Sequence, residues 1–279
     1  MRTRFALPGG SIAALDTGVS QPGPVAEHRG VVLLVPGYTG SKEDFQPLLR
    51  PLAAAGYRAV AIDQRGQYES EWAGDPDGYT LDALAGEVCQ LAAELGTGAS
   101  RLHLVGHSLG GLVGRAAVLA KAELFDSFTL MGSGPDAVAG QRRTLLDAGE
   151  LVLARRGMAG LWAYLEAGAQ ADPKYATSTP ALRAFLRTRF LATDPVGLQG
   201  MGDLLRTVTD RTRDLAATGV PTLVLHGESD DAWLPQVQAD MARRLGAAYA
   251  VIPAAAHSPA VENPAATLQA LLDFWQQLS

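Results

Sequence analysis

The chain has 279 residues, of which 47% are hydrophobic and 19% are charged, and its formal net charge at pH 7 is -6. This composition is typical of a globular protein with enough apolar residues for a sizeable core. It lacks the excess of lysine and arginine that favours nucleic-acid binding, and it has no run near the roughly 20 apolar residues of a membrane span. We therefore expect a small-molecule substrate rather than nucleic acid or membrane as the partner.

The first ten residues and the cysteine content indicate the cellular compartment of the protein. Residues 1–10 contain no long apolar run after their arginines, so they do not resemble a secretory signal. Cys89 is the single cysteine, which excludes an internal disulfide, and its apolar helical surroundings favour a small buried side chain. These features predict a cytoplasmic protein, and they do not predict its oligomeric state.

Short β-rich runs alternate with helical runs along the chain. Helical periodicity covers residues 45–55 and 81–95, and each run is followed by a glycine, Gly56 and Gly96, as helix ends often are. The strands are predicted at residues 11–16, 31–35, 59–63, 101–106, 127–131, 222–226 and 248–252. This alternation predicts an α/β fold with a mostly parallel central sheet flanked by helices.

The alternation is interrupted between about residues 134 and 216, where only helical periodicity is found. We interpret residues 134–216 as an inserted helical lid and residues 1–133 and 217–279 as the core. Such an insert would cover the carboxyl edge of the sheet, where ligands bind in open α/β folds.

The apolar side chains of the lid, Trp162 and Phe185 among them, are candidates for a substrate pocket and suggest an apolar acyl or aromatic substrate. Lid helices also need an apolar face to dock on the core, and helix patterning does not separate the two explanations. The lid also contains Arg183, Arg187 and Arg189, which could bind an anionic group but are predicted to form a solvated helix face.

The motif Gly106-His107-Ser108-Leu109-Gly110 lies between a predicted strand and a predicted helix. A G-x-S-x-G motif in this setting is typical of a nucleophile elbow, in which the glycines leave room for a tight turn and the serine is exposed above the sheet. The hydroxyl of Ser108 is therefore a candidate nucleophile for attack on a carbonyl.

Five segments together resemble the α/β-hydrolase superfamily, and the resemblance extends over almost the whole chain. They are the elbow, residues 31–40 with a strand and oxyanion loop, residues 63–70, residues 224–230 and residues 256–259. The resemblance implies an α/β-hydrolase fold and a serine hydrolase that cleaves a carboxylic ester through an acyl-enzyme, without cofactor or metal.

The resemblance also implies the order serine, acid, histidine for the catalytic residues. Ser108 would be the nucleophile, His257 the base and Asp230 the acid that orients it. Asp231, predicted to cap its loop, and Asp136, after an earlier strand, are the alternative acids. The other histidines are His226, the alternative base, His103 in a strand, His28 in a polar loop and His107, predicted to point away from substrate.

The backbone N–H groups of Tyr38 and Leu109 would form the oxyanion hole. Two positions depart from the family's pattern. Pro36 replaces the usual histidine, so the side-chain contacts that often brace this loop would be missing, and Tyr68 replaces a glycine, which puts the usual path of its loop in doubt. Trp72 follows closely and is a candidate for the mouth of the pocket.

Several other activities are compatible with the same residues, because a fold does not determine a substrate. A serine at the elbow argues against dehalogenase or epoxide hydrolase chemistry, which use an aspartate there in this superfamily. The chain could instead be a thioesterase, lactonase, C–C bond hydrolase or cyclase. A further alternative is a ligand-binding receptor that retains the triad and turns over slowly.

Overall fold

The computed structural model describes residues 1–18, 29–97, 101–170 and 173–278, so His28 lies outside the described residues. Within them one eight-stranded sheet is formed, in the order β1-β2-β4-β3-β5-β6-β7-β8. Its strands are β1 (Arg2–Leu7), β2 (Gly10–Asp16), β3 (Gly30–Val35), β4 (Tyr57–Ile62), β5 (Leu102–His107), β6 (Ser127–Met131), β7 (Thr222–Gly227) and β8 (Ala248–Ile252).

The sheet is mostly parallel, as the sequence predicts. Strands β3 to β8 are parallel to one another, whereas β2 is antiparallel to both of its neighbours, β1 and β4. Strand β1 is absent from the sequence prediction. Of its six residues only Phe5 is buried, so this edge strand lacks the apolar alternation by which strands are recognised.

Helices cover both faces of the sheet. They are α1 (Gln46–Ala54), α2 (Leu81–Gly96), α3 (Leu109–Ala120), α4 (Gly140–Ala169), α5 (Pro173–Thr177), α6 (Pro180–Leu191), α7 (Pro195–Thr207), α8 (Thr212–Ala217), α9 (Pro235–Leu245), α10 (Pro259–Glu262) and α11 (Pro264–Gln276). In the part of the chain that the structure describes, no helix combines the length and the apolar character needed to cross a membrane.

The central strands are buried on both faces, which explains their continuous apolar sequences. In β3, Val31, Leu33 and Val35 face a core shared with α2 and α3, and Val32 and Leu34 face a second core shared with α1 and α11. This double burial fixes the sheet between two helical layers. The carboxyl ends of β3, β5, β6, β7 and β8 therefore lie along one edge.

Helices α4 to α7 lie between β6 and β7 in the chain, and we call them the insert helices. Helix α4 contacts α6 and α7, and it bends sharply at Gly157, whose φ of 62° is left-handed. Helix α8, in contrast, packs against α3 and α9 of the core. Helices α4, α6 and α7 pack together, and Met201 and Leu205 of α7 also belong to the core shared with α2 and α3.

Candidate active site

Ser108 lies in the turn between β5 and α3 with φ 54° and ψ -117°. This conformation is rare for a residue with a side chain and costs on the order of 1 to 3 kcal/mol. The turn is also crowded: a Cβ at Gly106 would lie 2.3 Å from the Gly110 carbonyl oxygen, and one at Gly110 would lie 2.3 Å from the Val35 carbonyl oxygen. The two glycines of the motif are required because backbone atoms occupy the space of a side chain.

His257 lies within hydrogen-bond distance of Ser108. It occupies the loop between β8 and α10, and its Nε2 is 3.0 Å from the Ser108 Oγ. The Glu262 carboxylate accepts hydrogen bonds from the N–H groups of Ala256, at 2.8 Å, and Ser258, at 3.0 Å. Glu262, which the sequence analysis missed, therefore fixes the backbone on both sides of His257.

Asp230 follows β7, is 2% exposed and accepts a hydrogen bond from His257 Nδ1 at 3.0 Å. The Ala232 N–H donates to its Oδ1 at 2.9 Å, and the Gln238 amide donates to its Oδ2 at 3.0 Å. Burial raises the pKa of Asp230, but these hydrogen bonds and the charge of His257 outweigh burial and lower the pKa below its usual value. The carboxylate is thus ionised where it faces the imidazole.

The alternative acids and the alternative base have other partners. Asp231 forms an ion pair with Arg142 at 2.6 Å, with 62% of its side chain exposed. The backbone carbonyl of Asp136 accepts a hydrogen bond from Trp233. His226 contacts the Tyr249 hydroxyl at 2.8 Å. The structure brings together Ser108, His257 and Asp230 and leaves these other groups outside the chain of hydrogen bonds.

His107 does not point away from the site, contrary to the expectation from strand alternation. It lines the cavity beside Ser108, and its Nε2 lies 2.7 Å from the backbone carbonyl oxygen of His257, to which it donates a hydrogen bond. Burial, followed by the nearby charge of His257, lowers the pKa of His107 to about 4. The imidazole is therefore neutral at pH 7 and holds the His257 backbone without adding charge.

The predicted oxyanion loop, residues 36–40, passes close to Ser108. A Cβ at Gly37 would lie 3.1 Å from the Ser108 Cβ. Leu109 is the first residue of α3, so its N–H has no acceptor one helical turn earlier. The loop is braced although Pro36 replaces the usual histidine, because the Gln64 and Gln67 amides donate to its carbonyl oxygens.

Tyr68 takes the left-handed backbone conformation that a glycine would adopt freely, with φ 39°. Its ring lies under the Lys42 ammonium, 4.6 Å away, and packs edge-on against Phe185 at 5.8 Å. Lys42 is itself buried in ion pairs with Asp63 and Glu69, both at 2.7 Å. These contacts hold Tyr68 in a conformation that is unusual for an aromatic residue.

A cavity of about 780 Å³ opens next to Ser108 and His257. Much of its lining is apolar and comes from the insert helices, including Leu146, Leu153, Leu161, Phe185, Leu186 and Phe190. Its volume is within the range of small-molecule sites. In the described residues, no group of three or more His, Cys, Asp or Glu side chains could hold a metal ion.

The three aromatic residues predicted to form the pocket have different positions. Phe185 lines the cavity. Trp72 is 52% exposed and donates a hydrogen bond to the Ala192 carbonyl, and Trp162 packs against Phe190. Among the described residues, neither tryptophan is part of the cavity lining. The apolar character of a residue in the sequence therefore did not predict whether its side chain lines the cavity or packs elsewhere.

Arg189 does not lie on a solvated helix face, as the sequence suggested. Only 12% of its side chain is exposed, and its guanidinium pairs with Asp44, contacts the Ser41 hydroxyl at 3.2 Å and lies over the Phe185 ring. This ion pair links α6 to the turn before α1. It attaches an insert helix to the core beside the cavity.

A parallel sheet between two helical layers, with a serine on a tight strand-to-helix turn above it, defines the α/β-hydrolase class. The family model of the alpha/beta hydrolase family matches residues 32–270. The chain belongs to this family, and its general function is that of a hydrolase.

Two of the relatives in sequence carry the same name. The chain is 30% identical over 256 residues to the "Putative carbamate hydrolase RutD" of Pantoea ananatis, a match that covers 88% of each protein. It is 41% identical over 123 residues to the protein of that name from Variovorax paradoxus, which covers 42% of the chain and 45% of that relative. The second match thus spans less than half of either protein.

Solved structures show the same fold. A thermophilic esterase from Thermogutta terrifontis has a TM-score of 0.79 at 24% identity and covers 100% of this chain and 99% of that one. The enol-lactonase from Burkholderia xenovorans has a TM-score of 0.80 at 22% identity and covers 98% of this chain and 100% of that one. At these identities the similarity concerns the fold alone.

The lowered pKa of His107 predicts a loss of stability in acid. An unfolded histidine binds a proton near pH 6.5, whereas the folded His107 binds one only near pH 4. Its contribution to the free energy of unfolding is therefore fully present above pH 6.5 and is lost as the pH falls to 4. At roughly 1.4 kcal/mol per pKa unit the loss is about 3 kcal/mol.

Urea unfolding at pH 7, 5.5 and 4.5 measures this loss. His107→Gln retains an N–H at the position of Nε2 but cannot be protonated, so its stability should fall less steeply with pH than that of the wild type. The buried His103, whose pKa burial also lowers to about 4, remains in both proteins and serves as the internal reference. Equal slopes in the two proteins would contradict the prediction.

Proposed function

We propose that the chain is a serine hydrolase that cleaves carboxylic esters with an apolar acyl or alcohol part through an acyl-enzyme. The observation that carries this proposal is the chain of hydrogen bonds from Ser108 Oγ to His257 Nε2 and from His257 Nδ1 to Asp230, each 3.0 Å long. Ser108 and His257 both line the apolar cavity. An oriented hydroxyl beside a base is the arrangement that activates a serine nucleophile.

In the acylation step, His257 Nε2 takes the Ser108 proton as Oγ bonds to the substrate carbonyl carbon. The carbonyl oxygen becomes an oxyanion, which accepts hydrogen bonds from the N–H groups of Tyr38 and Leu109. When the tetrahedral intermediate collapses, the C–O bond breaks and the alcohol leaves with the proton from His257. Asp230 stabilises the imidazolium that exists between these two transfers.

In the deacylation step, a water molecule takes the place of the alcohol. His257 accepts a proton from the water as its oxygen bonds to the acyl carbon, and the same N–H groups stabilise the second oxyanion. The carboxylic acid leaves, and the proton returns from His257 to Ser108. Ser108 and His257 are then back in the protonation states in which the cycle began, and neither step uses a cofactor.

The apolar cavity supports the choice of an apolar substrate. Leucine and phenylalanine side chains of α4 and α6 line it, so a hydrocarbon chain or aromatic ring bound there would lose contact with water. We propose that residues 134–216 form a lid that determines which substrates fit. The core would then supply the chemistry and the insert helices the selectivity.

Carbamate hydrolysis is the second candidate, because of the 30% identity to a relative of that name over 88% of both proteins. A carbamate also has a carbonyl that Ser108 could attack, so the same residues would serve. Thioester, lactone and C–C bond cleavage, cyclisation and slow-turnover ligand binding are further alternatives for the fold. Relative rates on matched esters, thioesters, lactones and small carbamates distinguish ester, thioester and lactone hydrolysis from carbamate hydrolysis.

The proposal predicts Ser108-dependent hydrolysis of p-nitrophenyl esters, with kcat/KM rising from acetate towards longer acyl chains as more of the chain is buried in the cavity. Each added methylene changes transition-state binding by up to about 1 to 3 kcal/mol. Ser108→Ala is the control and should lose both hydrolysis and labelling by a fluorophosphonate. Faster turnover of matched thioesters, lactones or small carbamates would reassign the substrate, and activity of Ser108→Ala at the wild-type rate would exclude Ser108 as nucleophile.

Asp230→Asn should lower kcat by up to about four orders of magnitude, as the equivalent substitution does in serine proteases. Both oxygens of Asp230 accept from donors, so an amide NH₂ group would oppose one of these donors in either orientation. Asp231→Asn is the matched control. It removes an exposed ion pair, worth about 0 to 1 kcal/mol, and should change kcat little; the reverse result would assign the acid to Asp231.

Phe185→Ala should shift the preference among ester chain lengths by roughly tenfold towards longer or bulkier acyl groups, because it enlarges the cavity. The fluorophosphonate should still label Ser108 in this variant. Trp72→Ala, which removes an aromatic side chain outside the lining, is the control. An unchanged ranking of substrates in folded Phe185→Ala would show that α6 does not determine selectivity.

A further inference from the structure

Two glutamine side chains from the segment after β4 donate hydrogen bonds to the oxyanion loop, and neither of these described residues lines the cavity. The Gln64 Nε2 donates to the Pro36 carbonyl oxygen at 2.8 Å. The Gln67 Nε2 donates to the Gly37 carbonyl oxygen at 2.7 Å and approaches the Tyr38 carbonyl oxygen at 3.2 Å. Both glutamines are buried, with exposures of 3% and 0%.

The hydrogen bond from Gln67 to Gly37 acts on the Gly37–Tyr38 peptide group, whose N–H is the proposed donor to the oxyanion. The Gly37 carbonyl and the Tyr38 N–H belong to one planar peptide group, and the described chain contains no cis peptide bond. In a trans peptide these two groups point in opposite directions. A donor fixed on the Gly37 oxygen therefore fixes the direction of the Tyr38 N–H.

The same hydrogen bond has an electronic effect. A carbonyl that accepts a hydrogen bond draws electron density from its own N–H and makes that N–H a better donor, as in chains of hydrogen bonds in a low-dielectric site. The Gln64 contact affects a different peptide unit, because the Pro36 carbonyl is joined to the Gly37 N–H. Only the Gln67 contact acts directly on the Tyr38 N–H.

The orientation of the Gln67 amide is determined by its own partners. Its Oε1 accepts a hydrogen bond from the Gln64 N–H at 3.0 Å, which directs Nε2 towards the loop. If the amide were flipped, its oxygen would face two carbonyl oxygens and its NH₂ group would face an N–H. The buried amide is thus restricted to the orientation that donates to the loop.

We propose that Gln67 is a positioning residue for the oxyanion hole, which orients and polarises the Tyr38 N–H through the Gly37 carbonyl. This inference rests on the proposed function, since it assumes that the Tyr38 N–H meets an oxyanion formed at Ser108. Gln67 does not touch the substrate. It acts on the transition state through one peptide group of the backbone.

Gln67→Met tests the inference, because methionine has a similar length and removes the donor. It should lower kcat for the preferred p-nitrophenyl ester by roughly tenfold to a hundredfold, less than the loss of a whole oxyanion donor because the Leu109 N–H remains. KM should stay within about threefold, since the contact strengthens only as the oxyanion forms. An alkylboronic acid that mimics the tetrahedral intermediate should bind more weakly by a factor similar to the loss in kcat/KM.

Gln64→Met is the matched control. It removes one buried amide donor from the same loop, so its loss of stability should resemble that of Gln67→Met, and thermal unfolding of both variants checks this. Its kcat should fall by less than about threefold, because its contact is on the preceding peptide. If Gln67→Met does not fold, Gln67→Asn, in which the shorter side chain withdraws the donor, replaces it and should change kcat in the same direction.

A loss of kcat and of boronate affinity in the Gln67 variants that exceeds the loss in Gln64→Met supports the inference. Equal losses in the two sets of variants, a change confined to KM, or an unchanged boronate affinity would overturn it. Failure of the proposed function is distinguishable, because the wild type would then not hydrolyse the ester, or Ser108→Ala would hydrolyse it at the wild-type rate. Failure of the Gln67 inference alone would leave Ser108→Ala inactive and Gln67→Met as active as Gln64→Met.

Discussion

The backbone conformation of Ser108 is the constraint on which the site depends. A φ of 54° at a residue with a side chain is unfavourable, and it persists because the surroundings hold it. The Ser108 N–H donates to the Met131 carbonyl oxygen at 2.9 Å, and the glycines on either side let β3, β5 and α3 approach to backbone contact. Ser108 is therefore fixed relative to the loops that follow three neighbouring strands.

The ionised carboxylate of Asp230 faces His257 Nδ1. The pKa of Asp230 is lowered by its donors, and the pKa of His107 is lowered by burial, so at pH 7 the first is negative and the second is neutral. A positive His257 formed during the reaction would meet a negative charge at its Nδ1 and no positive charge on its neighbour. Glu262 and His107 hold the backbone of its loop from different sides.

The cavity is lined by residues of two parts of the chain, the proposed nucleophile and base with their loops in the core and the apolar side chains of the insert helices. The proposed catalytic residues follow strands of the core. Two ion pairs join the two parts beside the cavity, Arg189 with Asp44 and Arg142 with Asp231. Changes in the insert helices can thus alter the cavity while the core remains intact. This division explains how esterase and lactonase structures can share this fold, since a fold does not determine the substrate.

The sequence by itself determined the α/β fold, most of the strands and the segments that contain Ser108, Asp230 and His257. Local periodicity and short motifs predict these features, because burial of a strand or helix face requires a regular spacing of apolar residues. The tertiary structure decided which partners meet: Gln67 with Gly37, 30 residues apart, and His107 with His257, 150 residues apart. It also paired Arg189 with Asp44 and excluded Trp72 from the cavity lining. Periodicity reports that a side chain is buried but not which group lies opposite, and that depends on how distant elements pack.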